Sequence, residues 1–421
     1  MELSNAKGVS DIPPEKKIIK QKIIDQIKEI FERFGYSPLE TPIIERYDIL
    51  ASKYAGGSEI LKETFKLTDQ GGRDLCLRYD LTVPMCRFVG MNKTLKYPFK
   101  RYQIGEVFRD GPIKVGRLRE FWQCDVDIVG TKSMMADAEF VVIARQVFNK
   151  LGLDVNILVN NRKILNGMLT YSGINKEEQE NVILTIDKLA KIGVEGVREE
   201  LIEKQVSTDS TNQILEILFN NKGSNSEKLD YLFGILEDEG KEGIEEMREL
   251  LGFAEANFDF SLARGLSYYT GTVYEVYLKD LEIFNSAIAA GGRYDKMIGN
   301  FLESSEVIPA IGISFGLEPI SVVMENKEKV KKTVTEYYLI PINTEKETFM
   351  LAQELREKGL RVDMDFKKRG VSKNLDYANS YGIPYVVFVG KQELEQGKLK
   401  LRNMETGEEK LVTKKELGER S

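Results

Sequence analysis

Between residues 100 and 129 the hydrophobic period is two, which restricts this part of the chain to paired strands. Residues 101–109 and 119–129 read as two strands joined by a loop at 110–118 that contains glycine and proline. On the second strand Trp122, Cys124, Val126 and Ile128 make an apolar row, and Gln123, Asp125 and Asp127 alternate with them. One face therefore belongs to a core. The other presents polar groups on a rigid surface, the placement a binding site needs.

Around this hairpin the period changes repeatedly. Ile19, Ile23, Ile27, Ile30, Phe31 and Phe34 mark one face of a helix that begins after Pro13-Pro14 and stops at Gly35. Pro38 and Pro42 confine residues 39–44 to an edge or interface strand, suited equally to a dimer element or to plain scaffold. Residues 165–251 turn helical, interrupted by a flexible stretch at 222–226, and read as an insertion. Strands resume at 268–278 and 308–315, separated by the turn-like Ala290-Gly291-Gly292-Arg293. A charged linker is expected at 325–332. Beyond it strand and helix alternate (337–342, 345–358, 360–366, a helix after Ser372, 384–389), as in a small α/β domain. With 421 residues, too many for one core, the expected division is 1–330 and 335–421.

Composition removes whole classes of chemistry. The chain contains no histidine, which excludes imidazole bases, Ser-His-Asp and Cys-His nucleophiles and His-based metal sites. Cys76, Cys86 and Cys124 form no CxxC pair and read as small buried hydrophobes of a reducing compartment. No apolar run approaches the roughly 18 residues needed to cross a bilayer. A cytoplasmic location without membrane or DNA partners is expected. The formal net charge of −7 gives no overall attraction to nucleic acid, so RNA contact would need local basic surfaces. Two candidates are residues 361–373, where Arg361, Lys367, Lys368, Arg369 and Lys373 outnumber Asp363 and Asp365, and the hairpin loop with Lys114, Arg117 and Arg119.

Arginines carry the strongest chemical signal. Arg109 ends the first strand, Arg117 and Arg119 flank the loop exit, and Arg264 opens the segment Arg264-Gly265-Leu266-Ser267-Tyr268-Tyr269. Guanidinium groups on a sheet suit polyphosphate, since each offers several fixed donors and a permanent charge; a solvated basic face is the plain alternative. Asp80, Thr82, Gln123 and Asp127 supply acceptors and hydroxyls suited to an amino group, although a cap at Asp80 and solvated strand positions at Gln123 and Asp127 explain them equally well. No GxxxxGK[ST] sequence exists, so phosphate is not bound by a P-loop, and Gly291-Gly292 is weak as a phosphate cradle.

Taken together these segments resemble the histidyl-tRNA synthetase family of class II aminoacyl-tRNA synthetases. The resemblance rests on Lys7-Gly8-Val9-Ser10-Asp11, Arg78-Tyr79-Asp80-Leu81-Thr82, Val107-Phe108-Arg109, residues 116–121, Gln123-Cys124-Asp125-Val126-Asp127, Arg264-Gly265-Leu266-Ser267-Tyr268-Tyr269 and Gly291-Gly292-Arg293-Tyr294-Asp295. Their order looks like that of archaeal and eukaryotic members. The resemblance implies an α+β catalytic core with a six-stranded antiparallel sheet flanked by helices, a helical insertion touching the acceptor arm, a C-terminal α/β anticodon-binding domain, and a homodimer in which Pro42 matches the first class motif. It implies ATP and Mg²⁺, with L-histidine and tRNA(His) as partners. By position Arg109 and Arg264 match the catalytic arginines, Arg109 and Arg117 those on the ATP phosphates, and Phe121 the ring on adenine. Asp80, Thr82 and Gln123 match the holders of the α-amino group; Asp127 and Tyr269, with Tyr268 beside them, match those at the imidazole.

Such a reaction needs no imidazole in the protein, because a carboxylate attacks the α-phosphorus of ATP already ionised and the obstacle is repulsion between anions. Two positions depart from the family. Gly316-Leu317-Glu318-Pro319 places proline where the third class motif has arginine, so the ATP grip would have to come from Arg117, Arg293 or a neighbour. Ser267 replaces the usual aspartate. The alternative is a catalytically silent histidine sensor similar to the regulatory subunit of ATP phosphoribosyltransferase. Such regulators lack the anticodon-binding domain and the arginine motif that this chain carries.

Overall fold

The computed structural model describes residues 3–51, 61–113, 118–265, 268–302, 306–327 and 331–418. It falls into two compact units, one of residues 1–10 and 23–323, the other of 11–22 and 324–421. The expected first helix runs over Pro14–Arg33 and ends at Gly35, whose φ of 78° is the left-handed conformation glycine adopts without strain.

In the first unit β1 (Ser37–Pro38) leads into a small antiparallel sheet of β2 (Ile44–Arg46), β3 (Lys66–Thr68) and β4 (Asp74–Leu77). Residues 39–43 lie between strands, so the prolines break the expected single strand into two short ones. The main sheet uses β5 (Phe99–Phe108), β6 (Glu120–Val129), β7 (Val155–Asn161), β8 (Asn257–Phe258), β9 (Thr272–Leu278), β10 (Ala289–Arg293) and β11 (Ala310–Gly316). Its order is β1-β5-β6-β11-β10-β9-β7-β8. The six strands from β5 to β7 are antiparallel throughout, as the class II core requires, and the two-residue β1 and β8 add parallel edges.

Three expectations change here. Gly291 and Gly292 belong to β10, in mid-sheet between β11 and β9, and not to a turn. A Cβ at Gly292 would come within 2.5 Å of the Thr272 carbonyl and 2.8 Å of the Tyr269 ring, so close packing and not chain reversal selects glycine. The charged stretch at 325–332 is not all linker, because the helix Leu317–Lys327 claims its first residues. Helices run from Arg162 to Phe253 between β7 and β8, and the stretch at 222–226 contains a capping box in which Ser224 and Glu227 close the start of the helix Asn225–Ile235.

The C-terminal sheet has the order β13-β12-β14-β15-β16, with β12 (Tyr337–Ile342), β13 (Val362–Met364), β14 (Tyr385–Gly390), β15 (Lys398–Asn403) and β16 (Glu409–Thr413). The first three strands are parallel and alternate with the helices Glu345–Glu357 and Val371–Tyr381. All three cysteines are free and buried, as expected.

Arg293 is fixed inside the first unit. Its Nε donates to Asp137 at 3.1 Å, its Nη2 also donates to Asp137, and its Nη1 donates to the Thr131 carbonyl at 3.0 Å. Thr272 donates to the same carboxylate at 2.6 Å. The guanidinium is therefore committed to the scaffold and does not rebuild an ATP grip. Asp137→Ala should cost about 3–5 kcal/mol, because it removes the carboxylate on two edges of a buried guanidinium and leaves Asp295 as its remaining anion. Urea unfolding monitored by far-UV circular dichroism measures this; a loss below about 1 kcal/mol would show that Arg293 finds other partners.

Candidate active site

A cavity of about 540 Å³ opens on the polar face of the main sheet. Its floor includes Gly291, Gly292 and Gly312. Gly312 stands opposite Asp127 on the neighbouring strand, where a Cβ would overlap the carboxylate. Glycine on the central strands thus makes the volume that the acidic strand β6 faces.

Asp80 and Thr82 enter from the segment between β4 and the helix Thr82–Met91. That segment is locked by Arg78, which is buried and donates from Nε to the Glu106 carbonyl at 2.8 Å and from Nη1 to the Thr41 carbonyl at 2.6 Å. Phe108 of β5 donates its backbone N–H to the Arg78 carbonyl at 2.9 Å. Asp80 accepts from the Val83 N–H at 3.0 Å, so it caps the helix and lines the cavity at once. Burial lifts its carboxyl to about 6, against the pull of the Val83 N–H, Arg109 and Arg101.

Asp127 is buried, not solvated. Arg101 of β5, fully buried and directly opposite in the register, lies 2.7 Å from its carboxylate, and Tyr294 donates its hydroxyl to the other oxygen at 2.5 Å. Burial raises its pKa, while Arg101 and Tyr294 oppose that shift. Gln123 is half-buried and donates from Nε2 to Ser314 at 3.1 Å. Tyr269 is buried, and its ring lies 4.7 Å from that of Tyr268.

Two arginines reach this acidic floor from different elements. Arg109 follows β5; its Nε donates to the Tyr79 carbonyl at 3.0 Å, and its guanidinium lies 5.1 Å from the centre of the Phe121 ring. Arg264 sits on the segment after β8, where Asn160 of β7 pins the neighbouring backbone by donating to the Leu262 carbonyl at 2.8 Å. Its Nη1 donates to Glu275 at 2.6 Å, and Tyr277 donates to the other oxygen of that carboxylate. Burial works against the charge of Arg264, but Tyr269 and Glu275 outweigh it and keep the guanidinium protonated.

The cavity therefore gathers Asp80, Thr82, Arg109, Gln123, Asp127, Arg264, Tyr268 and Tyr269 from the residues expected at the site. Phe121 stands beside Arg109 without lining it. Arg117, Lys114 and Ser267 lie outside the described residues. Sequence reading missed Glu63, Asp187, Glu275 and Tyr277, which also line the wall. Strand alternation already places Glu275 and Tyr277 on one face of β9, and that was the available signal for them. Pro319 falls in the first turn of the helix Leu317–Lys327, where no backbone N–H is needed, and Glu318 beside it accepts the Trp122 N–H at 2.9 Å.

Residues 8–320 match the family model for histidyl-tRNA synthetase, and residues 336–420 match that for an anticodon-binding domain. The chain is 45% identical to a histidine–tRNA ligase 1 of Bacillus cereus over 415 residues, 97% of each chain. Among solved structures, histidyl-tRNA synthetase from Nostoc sp. PCC 7120 superposes with a TM-score of 0.87 at 29% identity, over 100% of this chain and 98% of that one. An ATP phosphoribosyltransferase regulatory subunit/histidyl-tRNA synthetase from Bacillus halodurans C shares the fold at a TM-score of 0.76 and 24% identity, over 92% of this chain and 98% of that one. The curated relatives at 42–45% identity are bacterial, which corrects the archaeal and eukaryotic likeness expected from motif order. With the model match spanning most of its length and a relative this similar over nearly all of it, the chain belongs to the histidyl-tRNA synthetase family.

Proposed function

We propose that the chain ligates L-histidine to tRNA(His) in two steps, through a histidyl-adenylate made from ATP. The carrying observation is that two fixed guanidiniums, Arg109 and Arg264, share one cavity with the carboxylates of Asp80 and Asp127. Both signs of charge are required, since the substrate brings an ammonium, a carboxylate and a polyphosphate. Asp80, Thr82 and Gln123 hold the α-amino group; Asp127, Tyr269 and Tyr268 form the imidazole end. Arg109 bridges the substrate carboxylate and the α-phosphate, Phe121 packs on adenine, and Arg117 reaches the outer phosphates. Arg264 stabilises the charge that develops on the α-phosphate as the carboxylate oxygen attacks and pyrophosphate leaves. The terminal ribose hydroxyl of tRNA then displaces AMP, with a phosphate oxygen of the adenylate accepting its proton.

The cavity's hard-oxygen donors fit a nucleotide-borne Mg²⁺. Among the described residues no group of three acidic, Cys or His side chains is gathered for an ion. Phosphate oxygens and water would therefore supply most ligands. The ion would neutralise phosphate charge; orientation falls to the arginines.

Residues 1–330 are proposed as the catalytic domain, with the helical insertion at about 165–251, and 335–421 as the anticodon-binding domain. A cytoplasmic location and a homodimer belong to the same proposal; the exposed Ile43 and Ile44 beside Pro42 suit a dimer interface. Among the described residues no helix is long and apolar enough to cross a membrane. The histidine-sensor reading is not favoured, because the arginine pair and the anticodon-domain match are both retained.

Histidine-dependent exchange of pyrophosphate into ATP, with other amino acids as controls, tests the activity. Arg264→Ala should slow it by about 10²–10³-fold, the usual loss on removing one preorganised donor. Near-wild-type exchange would remove Arg264 from the mechanism. For the tRNA surface, neutralising Lys367 and Lys368 to Gln should reduce the slope of log affinity against log salt by up to about 2 while leaving exchange intact. An unchanged slope would mean that neither lysine touches phosphate.

A further inference from the structure

We propose that Asp125 is a further substrate-binding residue of this site, binding the α-ammonium of the amino acid through the carboxylate oxygen that has no donor among the described residues. The assignment rests on the histidine-activating reading above and adds a residue to it. Asp125 lies on β6 between Gln123 and Asp127, is 3% exposed and lines the cavity. Its register partners are Gln103 on β5 and Ser314 on β11.

Ser314 organises the local chemistry. Its hydroxyl bonds one side of the Asp125 carboxylate and accepts the Gln123 amide N–H at 3.1 Å. With the Gln123 NH₂ tied to Ser314, its Oε1 is left as acceptor. Among the described residues neither Gln123 Oε1 nor Asp125 Oδ1 has a hydrogen-bond donor, although both atoms are buried. Unmade bonds at buried acceptors are costly, so the pair calls for a ligand that donates.

Charge identifies the donor. Arg101 lies against Asp127, and Asp125 shares that cation, with the Ser314 hydroxyl and a weaker attraction from Arg78 beside it. Burial lifts the Asp125 carboxyl to about 7, with Asp127 and Asp80 adding repulsion. A full positive charge with three N–H groups relieves both deficits at once; a neutral imidazole offers one N–H and no charge.

The test is Asp125→Asn, which keeps the shape and removes the charge. Calorimetric histidine affinity at pH 8 should fall about 10–100-fold, the worth of one charged hydrogen bond, with the exchange defect mainly in KM. The free variant should melt a few degrees higher than the parent, because a buried charge is gone. A desamino probe, imidazole-4-propionate, should inhibit parent and variant with the same Ki. Unchanged histidine affinity overturns the proposal; so does a Ki that rises by the same factor as the histidine Kd, which would move Asp125 to the ring. Asp125→Ser gives the same comparison if the Asn variant does not fold. Should the parent itself fail to exchange pyrophosphate, the synthetase reading falls, yet the affinity measurements still decide the role of Asp125.

Discussion

Arg101 is the largest fully buried side chain, and its pairing with Asp127 decides how the sheet can be used. Taking both charges out of water costs several kcal/mol per ion, and only close geometry offsets it. Having met that cost, the protein can bury Asp125 and Asp127 on β6, with Arg101 and Tyr294 opposing the rise that burial imposes on the Asp127 carboxyl. The row still holds an excess of acid: Asp80, Asp125 and Asp127 face Arg101, with Arg78 and Arg109 at the margin. Binding a cation there replaces repulsion with attraction.

The period-two hairpin was legible because the alternation is local: each side chain's face follows from its position alone. The same alternation does not say whether a polar face meets solvent or a cavity, and for that reason Gln123 and Asp127 had a bland reading as good as the functional one. Burial of Asp127 depends on Arg101 across the strand pair and on Gly312 on the other side, contacts separated by long stretches of chain. Gly291 and Gly292 were misread for a related reason. Locally, paired glycines signal a turn; in the fold they are strand residues whose missing Cβ atoms are demanded by β9 and β11. Glu275 went unnoticed because its meaning lies in Arg264, a residue eleven positions earlier that reaches it only after the chain has bent back.

Family patterns carried further than periodicity at the site and less far at its edges. They named the arginines and acceptors that the cavity gathers, and they raised the question of Pro319. The substitution is compatible with the helix, since proline in the first turn forfeits no hydrogen bond. Arg293 is held by Asp137, Asp295 and the Thr131 carbonyl and does not turn toward a nucleotide.

Among the described residues Arg109 and Arg264 bring guanidiniums to the cavity from different segments of the chain, and Lys191 also lines it. Arg109 is tied to the Tyr79 carbonyl, on the same locked segment that carries Asp80; Arg264 is tied to Glu275, which Tyr277 also holds. In the proposed reaction neither arginine would need to be recruited as charge builds on the α-phosphate, because its partners already fix its direction. Stabilisation from groups oriented in advance is stronger than from groups that must reorganise, since the reorganisation cost is met during folding. A chain without histidine can then run this chemistry on fixed charge alone. In the proposed first step the nucleophile arrives ionised, so no base is asked of the protein.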